Sequence, residues 1–421
     1  MDSPASEAGT RATEHADQAL VARAAALLQS NGESTAVTIS AVDRLNRGLG
    51  TDFELVPGWS SMSIIDRARH PLVTVAPPVG VGMRAVAIAM RAIDGVHVSS
   101  ANRTELAAEL DRAAKAGPSP TWLFVVACAT GAAALSVIFG AQDITAVLLV
   151  AFSAASGGLI RRLLGRAGVG PLGQVFAAAL FAGIVGGIAV NADLSTSLRL
   201  IAVCPAMILV PGPHILNGFL DLFALRIPLG FARLGYAAVL LLAIGAGLAL
   251  ALAAFGTDLP VEPPGRTVPL WLDVIAAAVA AASYPVYFAI PYRLVAWPVV
   301  VGAVAHGLRT WAMNDLGWNI AIGATIACLL VGIVLAPVSH RLHIPYAAVA
   351  FAAVVALVPG VYVFRMINAL GELPFGGTEA SLLGAITDGT TAALVVVGMA
   401  AGLALPKHVY GQITSRKERT A

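Results

Sequence analysis

The stretches ILVPGPHILNGFLDL at residues 208–222 and ALVPGVYVFRMINAL at residues 356–370 share Leu-Val-Pro-Gly, at Leu209 to Gly212 and again at Leu357 to Gly360. Each copy lies inside an apolar run. Proline there removes the N–H that would complete the helical ladder, and the glycine after it loosens the backbone further. Each motif therefore predicts a helix interrupted near its middle. The copies stand 148 residues apart, and the same step carries apolar stretches starting at 121, 172 and 233 to positions beside the stretches near 269, 318 and 382. The match of motif and stretch positions reads as duplication of a whole five-stretch unit.

Composition sets the class. Hydrophobic residues make up 58% of the 421 residues, charged residues only 12%, and the mean hydropathy is +0.81. A soluble domain carries about twice that charge fraction. From residue 121 the chain offers ten apolar stretches, near 121–139, 143–160, 172–190, 198–220, 233–255, 269–291, 294–312, 318–336, 344–364 and 382–405. Each approaches the roughly 20 residues needed to span a bilayer as a helix. The expectation is a multi-pass α-helical membrane protein of ten transmembrane helices, with units at 120–256 and 268–406 and a basic tail at 407–421. Because each unit has an odd number of spans, the second enters the membrane from the opposite side, and the repeats are inverted.

Eleven basic residues fall on one side of this scheme: Arg161, Arg162, Arg166, Arg226, Arg233, Arg293, Arg341, Lys407, Arg416, Lys417 and Arg419. Four, Arg199, Arg266, Arg309 and Arg365, fall on the other. The positive-inside rule then places both termini in the cytoplasm. The formal charge of +2 implies no nucleic-acid partner. Cys128, Cys204 and Cys328 lack metal-ligand spacing, so neither a metal site nor a disulfide framework is expected.

Residues 1–119 hold 11 of the 26 basic and 13 of the 24 acidic side chains, which marks a soluble front domain. Leu20, Ala24, Leu27 and Leu28 recur at helical spacing up to Asn31-Gly32, and Val42, Leu45 and Leu49 mark a second helix near Gly48 and Gly50. Phe53 and Leu55, Met62 and Ile64, and then Leu72 to Val75 read as three strands around the Pro57-Gly58 turn. Helical spacing returns at 83–94 and 102–115, the latter opened by Asn102 and Glu105. The domain is a small α+β unit, and its isolated His70 and His97 read as structural.

In lipid, backbone groups freed by the two breaks must find protein, water or ligand. The corresponding breaks therefore point to a central cavity, with Pro211, Gly212, Pro359 and Gly360 as candidate substrate-binding positions. The exposed amides and carbonyls of broken helices suit the carboxylate and ammonium of an amino acid. His214, Asn217 and Asp221 form a polar stripe after the first break. Asn217 and His214 are read as substrate or proton contacts, with helix packing an equal alternative. Asp388, in the run Thr387-Asp388-Gly389-Thr390-Thr391, is the first candidate for proton coupling and Asp221 the second, against salt-bridged or interfacial roles. His306 and Arg309 are placed at the outer interface.

The segments ARAAALLQSNGESTAVTISAVDRLNRGLG, VHVSSANRTELAAELDRA and GGLIRRLLGRAG, with both Leu-Val-Pro-Gly segments, resemble the threonine/serine exporter family across nearly the whole chain. The resemblance implies a secondary transporter in the bacterial cytoplasmic membrane that exports threonine and serine with the proton gradient as drive. Its partners would be a small amino acid, protons and the lipid bilayer, with no cofactor. A passive channel or facilitator is the nearest alternative, followed by a membrane-embedded hydrolase or a sensor. No GxxxxGK[ST], GxSxG or HExxH occurs, which argues against an ATP-driven or enzymatic role.

Overall fold

The computed structural model describes residues 4–78, 80–99, 103–141, 143–194, 198–257, 268–342, 346–373 and 376–420. Asn102 and Arg266, used above, lie outside them, as do the side chains of His97, Arg199, Arg416, Lys417 and Arg419. The front of the chain forms α1 (Pro4–Ser30), α2 (Thr35–Leu49), β1 (Glu54–Pro57), β2 (Ser61–Ile65), β3 (Pro71–Val75), α3 (Met83–Ser99) and α4 (Arg103–Ala114). Helix α2 stops where Gly50 takes φ +71°, a left-handed conformation that glycine adopts without a Cβ clash. The strands form an antiparallel sheet in the order β1-β2-β3, with Leu55 opposite Ile64 and Ile64 opposite Leu72. Alternation along β2 turns Met62 and Ile64 inward, where both are fully buried. Gln18 and Gln29 of α1 hold the sheet against that helix. Gln18 Nε2 donates to the Ile64 carbonyl at 2.9 Å, and Gln29 Nε2 to those of Gly58 (2.8 Å) and Ala76 (3.0 Å).

The apolar part follows as α5 (Thr121–Ile138), α6 (Ile144–Arg166), α7 (Pro171–Asn191), α8 (Leu198–Met207), α9 (Gly212–Phe223) and α10 (Ile227–Ala254). After it come α11 (Leu270–Tyr287), α12 (Ala296–Asp315), α13 (Ile320–Arg341), α14 (Tyr346–Val354), α15 (Gly360–Glu372) and α16 (Glu379–Thr420). Among the described residues, seven helices are long and apolar enough to cross a membrane, or nine if each bent pair is one span. The bent pairs are α8–α9, at 54°, and α14–α15, at 68°. The remaining expected span corresponds to α12, whose apolar run is interrupted by His306 and Arg309. Helix α16 continues through Pro406 to Thr420. Large apolar side chains such as Phe152, Leu242, Val300 and Leu394 are exposed on the outer helix faces, as a lipid-facing surface requires.

One packing scheme occurs twice. Helix α5 packs on α6, α6 on α7, α7 on α10 and α10 on α9, while α8 touches α5, α6 and α7. Likewise α11 packs on α12, α12 on α13, α13 on α16 and α16 on α15, while α14 touches α11, α12 and α13. The groups meet through reciprocal contacts: α5 with α11, α9 with α14, α8 with α15, α9 with α16 and α10 with α15.

Candidate functional site

Both breaks have the same local geometry. Pro211 (φ −81°, ψ 57°) and Pro359 (φ −79°, ψ 45°) each sit at the centre of a three-residue inverse turn. Gly212 N–H donates to the Val210 carbonyl at 2.9 Å, and Gly360 N–H to that of Val358 at 2.8 Å. The fixed φ of proline and its missing N–H favour this turn over a continued helix. A new helix starts at once in each case, since Ile215 N–H donates to the Pro211 carbonyl and Val363 N–H to that of Pro359.

Tertiary packing then brings the breaks together. A Cβ on Gly212 would lie 1.7 Å from Cζ of Phe351, on α14 of the other unit. A Cβ on Gly360 would lie 3.0 Å from Met207, on α8. Each glycine admits a side chain of the opposite pre-break helix. Between them is a hollow lined by Val210, Gly212, Phe351, Pro359, Met399 and Leu403 among others. Gly212 and Pro359 line it directly.

The polar stripe of α9 faces elsewhere, toward the α1–α2 segment at the front of the chain. Asn217 Nδ2 donates to the Gly32 carbonyl at 3.0 Å, and Thr35 Oγ1 donates to Asp221 Oδ2 at 3.0 Å. Asp221 also pairs with Arg233 Nε at 2.9 Å and Arg226 Nη1 at 3.4 Å, and Arg233 Nη2 donates to Thr35 Oγ1 at 3.3 Å. His214 stacks edge-on against Tyr236, which in turn contacts Trp59 of the front domain. Met83 N–H completes the dock by donating to the Phe288 carbonyl at 2.8 Å. Glu33, in the same α1–α2 turn, is buried, and that burial pushes its carboxyl up despite hydrogen bonds from Ser34.

Asp388 pairs with Arg365 Nε at 3.0 Å, joining α15 to α16. His306 is buried, with Nε2 3.1 Å from Asp273 Oδ1, while Thr310 Oγ1 donates to Asp273 Oδ2 at 2.6 Å. Close packing of α11 on α12 offers the histidine an acid 33 positions away. Asp273 and the partner role of Arg365 escaped sequence reading, since neither pair has a local spacing. Arg233 did leave a signal: an arginine inside an apolar helix is expensive unless paired, and it is fully buried.

A family model described as a putative threonine/serine exporter matches residues 19–255, and a second, described as Threonine/Serine exporter, ThrE, matches residues 273–409. The boundary between the matches falls between α10 and α11. No solved structure matches the chain.

Proposed function

Starting from a chain that belongs to the threonine/serine exporter family, we propose a secondary transporter that moves threonine and serine outward across the bacterial cytoplasmic membrane, coupled to protons. In this reading, 120–256 and 268–406 are inverted five-helix repeats and both termini are cytoplasmic. The observation that carries it is the reciprocal packing of the two breaks, Gly212 against Phe351 and Gly360 against Met207. Such packing lets one pre-break helix slide against the opposite post-break helix while the centre stays fixed, which is the geometry alternating access uses. In this reading Pro211, Gly212, Pro359 and Gly360 are the substrate-binding positions at that fixed centre, with His214 and Asn217 after the first break on α9.

Asp388 is the first candidate for the coupling proton. Protonating it removes the charge that holds Arg365, and so loosens α15 from α16. Asp221 is the second candidate, and its bonds to Thr35 and Arg233 would pass its state to the soluble domain. Counterflow of radiolabelled threonine and serine in proteoliposomes, with and without a pH gradient, tests the reading. Accumulation against a concentration gradient only when a pH gradient is imposed is the expected result. Equilibration without accumulation would make the protein a facilitator.

A further inference from the structure

The hollow between the breaks is lined by apolar side chains and offers a zwitterion no charged group. A second pocket lies beside the first break. Cys128 of α5, Ser153, Gly157 and Arg161 of α6, and the Pro205–Leu209 end of α8 bound it. Ser153, Gly157 and Arg161 recur every four residues and share one helix face. Eight residues cover about 12 Å of helix axis, and a long side chain leans toward the N-terminus of its helix, here from Arg161 toward Ser153. Gly157 adds no side chain between them, so the pocket opens there.

Two polar groups at this pocket are unsatisfied. Ser153 is fully buried and its Oγ has no hydrogen-bond partner, and the buried Nε of Arg161 has none either. Among the described residues no carboxylate pairs with Arg161; its guanidinium lies 5.8 Å from the Phe124 ring, which Arg162 approaches more closely, at 4.2 Å. Arg309, 148 positions after Arg161, has Asp273 within electrostatic reach, although His306 and Thr310 take the oxygens of that acid. Arg161 has no such acid, and a partly buried cation without one is a ready partner for an anion.

We propose that this pocket is the subsite that recognises a small hydroxy amino acid. Arg161 takes the carboxylate, Ser153 takes the side-chain hydroxyl, and the C-terminal turn of α8, the negative pole of a half-helix, faces the ammonium. The assignment rests on the export reading for its substrate class. It suits the direction of transport: Cys128 is seven residues, about 10 Å, in from the start of α5, the end of that helix nearest the front domain.

Equilibrium binding to the purified full-length chain tests it, with L-threonine and L-threoninamide as probes, the amide lacking only the carboxylate. The wild type is expected to favour the acid by about tenfold or more, the size of one charge-assisted hydrogen bond. Arg161→Gln should bring the ratio near one. Ser153→Ala should erase the preference for threonine over 2-aminobutyrate. Gly157→Ala should weaken both probes without disturbing the fold, because the added Cβ meets Ala178 at an ordinary 3.5 Å. An acid preference that survives in Arg161→Gln overturns the proposal. A wild type that binds neither threonine nor serine overturns the export reading instead, and L-alanine against L-alaninamide in the same variants then decides the arginine's role. Absence of acid preference in that pair also overturns the subsite.

Discussion

The two post-break helices begin from the same proline-centred turn and are restrained in different ways. Helix α9 is tied to the α1–α2 segment at the front of the chain through Asn217–Gly32 and the Thr35–Asp221–Arg233 cluster. Helix α15 is tied among the apolar helices, through Arg365 to Asp388 of α16. Two elements of the same local geometry are thus held by two kinds of contact. Movement at the first break must strain or shift the front domain, while movement at the second must loosen one ion pair.

The contrast breaks most severely at Asp221. Asp221→Ala leaves Arg233 fully buried without its carboxylate, and removing one partner of a buried pair costs about 3–5 kcal/mol. Thermal unfolding and protease access to the front domain should show lower stability and release of the dock; an unchanged protein would mean that the cluster does not hold α9.

The glycines give the next largest effect, and an unequal one. Gly212→Ala drives a Cβ into the Phe351 ring, an overpacking expected to cost about 3 kcal/mol. Gly360→Ala meets the flexible Met207 at 3.0 Å and should cost less than about 1 kcal/mol. Comparable transport and unfolding in the two variants would refute the difference in close approach.

Asp388→Asn should change stability only slightly but remove gradient-driven accumulation, leaving exchange of bound substrate partly intact. Accumulation at the wild-type rate would reduce Asp388 to a structural partner of Arg365.

The smallest effect is at Glu33. Burial raises its carboxyl above the ordinary value, so the docked state holds a proton that the undocked state gives up. Docking is then strongest below the ordinary glutamate range, and weakens as pH rises from there to the raised value. Glu33→Gln should flatten that dependence, measured as protease release of the front domain across pH. A slope that persists in the variant would assign it to another group.

The sequence by itself determined what depends on local covalent chemistry. Apolar runs of bilayer length announce spans wherever they fold, and the prolines at 211 and 359 break their ladders because the missing N–H belongs to the residue. The strands around Met62 and Ile64 were legible for the same reason, since alternation is a property of adjacent residues. Tertiary structure alone decided which partner each polar group takes. Thr35 meets Asp221 across 186 positions, and Asp273 meets His306 across two packed helices. No periodicity records such pairs. The stripe His214, Asn217 and Asp221 was visible in the sequence, but its orientation toward the front domain followed from how α9 packs after the break. A buried charge accepts whatever counter-ion the packed chain places within a few ångströms, and that placement is set by the whole fold.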